Sequence, residues 1–364
     1  MQELKDRLRA FAKSEAEAAE CFGGAVGVFC DGKEVTEIFG DERFNEKSIY
    51  RLASVTKIFT AAAVMKLYGE GKIDVYSPVS KYICGFESIP LGALSSDGRV
   101  YSVGMPHREV TLFDLLTHTA GLGADELGNR EYSLVPAEEK TSLKKICDYY
   151  ARNFHLAFEP GTKSAYSGFA GYDCLARTVE VVSGKSFNDY LRASFFEPLG
   201  MADTTYQPTD EQYARIVPMH KRVSGEDREI DFRGALFRGI PRTYEAAGAA
   251  LVSSLSDMLR FLKMLLCGGE GLISPECVKM MLSPALPDGL LGLAKGENNC
   301  FGCFSVTGEH RQKKGTVFCH GAYGTHIILR PNEKFAAVLL KNSLTGMSET
   351  PKSVIEFEKT VILP

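Results

Sequence analysis

Strand-forming sequence is confined to the two ends of this chain, and that placement limits what it can fold into. Residues 25–30 and 33–39 are rich in Val, Ile, Phe and Thr and are joined by Asp31-Gly32. That dipeptide suits a two-residue hairpin turn, because both central positions take positive φ. Four further β-prone runs, 303–307, 316–320, 325–329 and 335–341, lie near the other end. Between them the sequence reads as helices and loops punctuated by Pro and Gly: 54–70, ending at Gly69-Glu70-Gly71, then 111–116, 142–154, 171–183, 187–196 and 255–267. Helices are also predicted over about 3–20 and 349–360. The fold class expected is α/β of the α+β kind, with an antiparallel sheet drawn from both termini, flanked by helices, and a mostly helical insertion. The sheet region is expected to comprise 1–75 and 246–364, the insertion 76–245, and the active site the cleft at their junction.

Composition removes several classes of function. The chain has 364 residues, 45% hydrophobic and 24% charged, which is ordinary for a globular protein with a large core. A net charge of −4 and the lack of a long basic run argue against nucleic acid or an anionic membrane as partner. No stretch approaches the ~20 apolar residues of a spanning helix. The first residues alternate charges with Leu4 and Leu8, as in an amphipathic helix rather than an export signal, so a cytoplasmic location is expected. The 10 cysteines are scattered and are expected to be reduced thiols. Cys300-Phe301-Gly302-Cys303 has no second pair to complete a metal site, and the 7 histidines form no ligand spacing. Neither a metal nor an organic cofactor is expected.

The chemistry lies in Ser54-Val55-Thr56-Lys57, at what reads as a helix start. Residues three apart share a helix face, with Cβ atoms roughly 5–6 Å apart. A serine hydroxyl needs a neighbouring base to become a nucleophile, and an exposed lysine, protonated at neutral pH, cannot be that base. The pair therefore requires a built, desolvated pocket. On spacing alone, a capping serine followed by a solvated lysine is the competing account.

Distant segments identify the pattern. Ser54-Val55-Thr56-Lys57 resembles the first motif of the serine β-lactamase and penicillin-binding-protein superfamily. The run 110–122, with Leu115-Leu116-Thr117-His118-Thr119-Ala120-Gly121-Leu122, resembles the class C β-lactamase-like branch with its esterases and peptidases. So do Phe158-Glu159-Pro160-Gly161, leading to Tyr166, then Phe196-Glu197-Pro198-Leu199-Gly200-Met201, and Ala247-Gly248-Ala249. The resemblance implies Ser54 as the acylated nucleophile, Lys57 as the base or electrostatic partner, and Tyr166 as the group sharing the proton traffic. It also implies an oxyanion hole made by the backbone amides of Ser54 and Ala322, the residue after the third motif's Gly321. His118 and Asp114 are expected to be structural. Tyr101, Met105 and His107 are candidates for the pocket wall.

Two departures bear on substrate. The second motif is usually Tyr-x-Asn, but this chain has Tyr166-Ser167-Gly168, and Gly168 offers no side-chain amide. The third is usually Lys-Thr-Gly or His-x-Gly, whereas Cys319-His320-Gly321 sets His320 one place late. Strand alternation leaves two outcomes, His320 in the cleft or turned away. The expected substrate contacts are His320, Gly321, Tyr323 and the Gly168 position. Lys313 and Lys314 precede the strand as the other cations, or as ordinary surface lysines.

Without the usual lysine and asparagine, the expected function is a serine hydrolase acting through an acyl-enzyme on a small ester, amide or peptide. A penicillin-binding D-alanyl peptidase or weak β-lactamase is the alternative within enzymes. A ligand-binding or sensor protein that has lost turnover is the alternative outside them.

Overall fold

The computed structural model describes residues 2–17, 22–223, 226–230, 232, 235–237, 240–344 and 352–362. The strands of the two chain ends come together as one antiparallel sheet. It contains β1 (Gly23–Cys30), β2 (Lys33–Gly40), β3 (Glu297–Asn299), β4 (Phe304–Val306), β5 (Val317–His320), β6 (His326–Arg330) and β7 (Phe335–Lys341). Their spatial order is β2-β1-β7-β6-β5-β4-β3. The ends join where β1 pairs with β7, with Val26 opposite Leu339 and Val28 opposite Ala337. Asp31 and Gly32 turn the first hairpin with φ of 49° and 77°, as the Asp-Gly signal requires.

The longer helices are α1 (Gln2–Glu17), α2 (Lys57–Gly69), α3 (Leu143–Asn153), α4 (Ala170–Ser183), α5 (Leu255–Leu266) and α6 (Lys352–Val361), of which α1, α5 and α6 lie against the sheet. Their ends follow the sequence: Ser142 and Ser254 cap α3 and α5 by accepting from the amides of Lys145 and Asp257, and α4 stops at Gly184 with φ 70°. Among the described residues no helix is long and apolar enough to cross a membrane.

Strand alternation gives the sheet two cores. One face sets Val26, Val28, Ile328 and Leu339 against Leu8 and Phe11 of α1 and Phe357 of α6. A buried ion pair from Lys341 to Glu15, 2.6 Å, ties α1 to β7. The other face sets Ala25, Ile327, Leu329 and Leu340 against α5, and α2 belongs to the same core. Helix α5 comes close at Gly27, where a Cβ would lie 2.9 Å from the Leu259 Cδ1 methyl. Helix α2 is buried almost all round.

The predicted helices at the termini are present as 2–17 and 352–361, and the remainders of both predictions lie outside the described residues. Other differences have local causes. The predicted helix from 54 begins as a 3-10 turn, Ala53–Thr56, because Ala53 has a left-handed φ of 48° and no side chain caps the entry. The edge strand β3 is three residues long, too short to show periodicity. Residues 76–245 also contain hairpins, Leu91–Leu94 with Val100–Gly104 and Met219–Val223 with Glu226–Ile230. The first turns through Asp97-Gly98, the same signal as at Asp31-Gly32, between strands of only four and five residues, too short to register as β.

Phe357 has no exposed surface and its ring lies 5.7 Å from that of Phe11. Phe357→Ala should lower the unfolding free energy by about 3–5 kcal/mol, read from urea denaturation. A loss below ~1 kcal/mol would mean that α6 contributes little to the sheet.

Candidate active site

The strand Ile49–Arg51, paired to Val252–Ser254, delivers the chain into Leu52 and Ala53. Ala53 carries a Cβ at a φ of 48°, a strained conformation that must be held by its surroundings. The turn between β5 and β6 holds it. Thr325 Oγ1 donates to the Leu52 carbonyl at 2.9 Å, and the Val55 amide donates to the same carbonyl at 3.2 Å. Gly321 lies so close that a Cβ there would be 1.9 Å from Thr325 Oγ1 and 2.6 Å from the Leu52 oxygen. Only glycine allows this approach. Ser54 is thereby presented, half-buried, at the start of the 3-10 turn.

Lys57 follows one turn later and is 1% exposed. Its Nζ donates to the carbonyls of Gly168, 2.9 Å, and Gly248, 2.8 Å. Gly248 makes that convergence possible, since a Cβ there would sit 2.5 Å from the Gly168 oxygen and 3.1 Å from Lys57 Nζ. The rings of Tyr166 and Tyr172 lie 4.8 and 5.2 Å from the amine, within cation–π range. Tyr166 is 42% exposed, so its phenol borders both the amine and solvent.

His118 holds the Tyr166 segment. Its Nδ1 accepts from the Ser167 amide at 3.1 Å, its carbonyl accepts from the Ala165 amide at 2.9 Å, and its ring packs 4.6 Å from that of Tyr166. Burial, reinforced by the Lys57 cation, pushes its imidazole down to about 3. With Nδ1 taken by an amide, His118 is a neutral support. Asp114 closes a capping box with Thr111 and takes both arms of Arg108 at 2.6 and 2.8 Å, ordering the end of the preceding loop.

Strand β5 separates two neighbours. Cys319 faces the nucleophile segment, with Sγ 3.5 Å from the Ser54 carbonyl oxygen. His320 is on the other face, its ring stacked 4.3 Å from His326. The expected substrate contact at His320 is thus corrected: alternation turns it away, and no bulge restores it. Burial first, then His326, depresses its imidazole well below the usual range. His320, His326 and Glu358 offer donor atoms within 4.8 Å of one another. Gln312 Nε2 at 2.7 Å and the Arg311 guanidinium already occupy the Glu358 carboxylate, which makes the cluster an ion-pair network rather than an open metal site.

Tyr323 is corrected too. It is 1% exposed and packs 5.1 Å from Phe237, beneath the site rather than in its wall. Gly168 contributes its carbonyl to Lys57, and a Cβ on it would meet nothing within 4 Å, so the space of the missing side chain is open. Among the described residues the amides of Ser54 and Ala322 donate to no other group, as oxyanion donors must. Tyr101 and Met105 are exposed, His107 pairs with Glu159 at 2.9 Å, and Lys313 pairs with Glu333. Cys300 and Cys303 are buried free thiols flanking Gly302, where a Cβ would lie 2.6 Å from the Lys57 carbonyl oxygen. The sequence did not single out the carbonyl of Gly248 or the buried Asp173. Backbone acceptors leave no residue signature, whereas an acidic residue at an apolar position of α4 was visible.

A family model described as Beta-lactamase matches residues 8–354. The D-alanyl-D-alanine-carboxypeptidase/endopeptidase AmpH of Escherichia coli (strain K12) is 31% identical over 214 residues, 55% of this chain and 50% of its own length. Penicillin-binding protein 4 of Amycolatopsis lactamdurans is 27% identical over 266 residues, 71% of this chain and 62% of its own. The matches thus span about half to three-fifths of these relatives. Among solved structures, EstCE1, a hydrolase with promiscuous acyltransferase activity, aligns with a TM-score of 0.82 at 21% identity, covering 99% of this chain and 98% of its own. Unliganded simvastatin synthase LovD from Aspergillus terreus aligns with a TM-score of 0.80 at 19% identity, covering 99% and 98%. At these identities the likeness is one of fold.

The His118 environment has a measurable consequence. Its imidazole sits near 3 when folded and at about 6.5 when unfolded, so the unfolded chain takes up the proton first. Its contribution to stability is present above pH ~6.5 and is lost progressively as pH falls toward 3. His118→Asn, which retains an acceptor for the Ser167 amide, should flatten the fall in urea midpoint between pH 6.5 and 4; an unchanged slope would contradict the assignment.

Proposed function

The chain belongs to the Beta-lactamase family, and we propose that it is a serine hydrolase that cleaves a small ester or amide through an acyl-enzyme on Ser54. The observation that carries this reading is the Lys57 amine, buried one turn from Ser54 and fixed by two backbone carbonyls under the ring of Tyr166. A solvated capping lysine would have neither the burial nor the acceptors.

In this reading Ser54 Oγ attacks the substrate carbonyl carbon while its proton passes to the Tyr166 phenolate, with the Lys57 ammonium beside it as electrostatic partner. The amides of Ser54 and Ala322 receive the developing oxyanion. The Tyr166–Lys57 pair returns the proton to the departing alcohol or amine. Water then enters by the same route and releases the acid. The exposure of Tyr166 supports its place at the leaving-group and water side.

The substrate side supports a neutral ester over a β-lactam. The face of β5 that meets Ser54 carries the Cys319 thiol, which burial pushes up to about 12, and no lysine. Nothing there supplies a cation for a carboxylate, and Gly168 supplies no side-chain amide. The names of the carboxypeptidase relatives favour the second reading, a D-alanyl peptidase. We further read 76–245 as an insertion over a sheet unit of 1–75 and 246–364, with Ser54 at the junction. The nine described cysteines, all free, support a reducing, cytoplasmic compartment.

A fluorophosphonate probe should label the wild type at Ser54 and leave Ser54→Ala unlabelled. Tyr166→Phe should lower kcat/KM for p-nitrophenyl acetate by about 10²–10⁴. No labelling of the wild type would favour a non-catalytic binding protein. Nitrocefin or a D-alanyl-D-alanine peptide turned over faster than the ester would replace the esterase reading with the peptidase or lactamase one. Gly168→Asn should fold, given the open space at its Cβ, and should raise nitrocefin acylation relative to ester; an unchanged ratio would remove Gly168 as a specificity determinant.

A further inference from the structure

Helix α4 carries a carboxyl group that the mechanism above does not use. Asp173 is fully buried in α4. It accepts from Tyr150 Oη of α3 at 3.0 Å, from Tyr244 Oη, and from the Ala247 amide at 3.1 Å. The peptide that follows Ala247 is held too, where Thr60 Oγ1 of α2 donates to the Ala247 carbonyl at 2.8 Å. The next carbonyl along the chain, that of Gly248, is one of the two acceptors of Lys57 Nζ. With Ala247 held at both its N–H and its C=O, and with the Ala249 and Ala250 amides both donating to the Ala246 carbonyl at 2.9 Å, the turn that carries the Gly248 carbonyl is fixed on either side of it.

We propose that Asp173 is a positioning residue for Lys57: it holds the Ala247 amide in the turn that presents the Gly248 carbonyl, and its negative charge keeps the Lys57 ammonium seated on that carbonyl. The inference rests on the reading of Lys57 as the electrostatic partner in the proton path. Asp173 also places a negative charge in the low-dielectric interior behind a cation whose acceptors are carbonyls and which, among the described residues, has no carboxylate in contact with it. Burial pushes its carboxyl up to about 6, while the Tyr244, Tyr150 and Ala247 donors and the Lys57 charge act the other way. The charge behind Lys57 is therefore present above pH ~6 and lost below it.

The other titratable groups facing Asp173 are Tyr132, Cys147, Tyr150, Cys174, Tyr206 and Tyr244. Burial raises all of them, so none changes charge near pH 6, and the charged group acting on Asp173 is Lys57. When Asp173 takes up a proton, the Ala247 N–H still requires an acceptor at Oδ1. The proton belongs on Oδ2, facing the two phenols, whose hydroxyls can turn. The loop keeps its bond while the charge disappears, which separates the electrostatic role from the structural one.

The test follows kcat/KM for p-nitrophenyl acetate and the rate of Ser54 labelling by fluorophosphonate from pH 5 to 8. The wild type should lose activity as pH falls through about 6. Asp173→Asn should lower kcat/KM by about tenfold or more and abolish that limb. Tyr244→Phe removes one donor to the carboxylate, which raises its affinity for a proton, so the limb should move to higher pH. Should Asp173→Asn fail to fold, the Tyr244→Phe shift decides alone. Ser54 labelling in the wild type with an unmoved limb in the folded variants overturns this inference and leaves the hydrolase reading standing. Absence of Ser54 labelling in the wild type overturns both.

Discussion

A primary amine taken out of water must be given acceptors, and the architecture around Lys57 follows from that requirement. The amine is carried by α2, which has almost no exposed surface, so it cannot reach solvent by bending. Its acceptors come from Gly168, just ahead of α4, and Gly248, just ahead of the strand that pairs with Ile49–Arg51. Three segments far apart in sequence are thus pinned to one nitrogen. Glycine at 248 is required because any side chain there would strike the Gly168 oxygen.

The same economy of space shapes the nucleophile. Ala53 takes a conformation that costs energy in a residue with a Cβ, and the turn after β5 offsets it through Gly321 and Thr325. That contact sets Gly321 against Leu52 and Ala53, so the turn that holds the strained residue is the one that carries Ala322, the proposed second oxyanion donor. Strand β5 then sets the polarity of the site by alternation. Cys319 meets the Ser54 side, and His320 joins His326, Glu358 and Arg311 under α6. A shift of one residue in register would exchange a thiol for an imidazole.

Much of the fold was legible because it rests on local signals. Asp31-Gly32 specifies a hairpin, apolar alternation marks the C-terminal strands, and Ser142, Ser254 and Gly184 punctuate helices where their chemistry dictates. Less was legible where the signal was short or polar. The edge strand Glu297–Asn299 is three polar residues, and the strands turned by Asp97-Gly98 are only four and five residues long, so neither announces itself by periodicity.

For the site, the sequence alone was enough to bring forward Ser54, Lys57 and Tyr166 as candidates and to reveal that the usual lysine and asparagine are replaced, because residue identity is written directly in the chain. It could not say which way His320 points, that Tyr323 is buried, or what holds the Lys57 amine. Those were decided by register and by backbone carbonyls. Register depends on how strands from distant parts of the chain align, and a carbonyl is present at every residue, so neither leaves a mark in the sequence until the fold has brought the segments together.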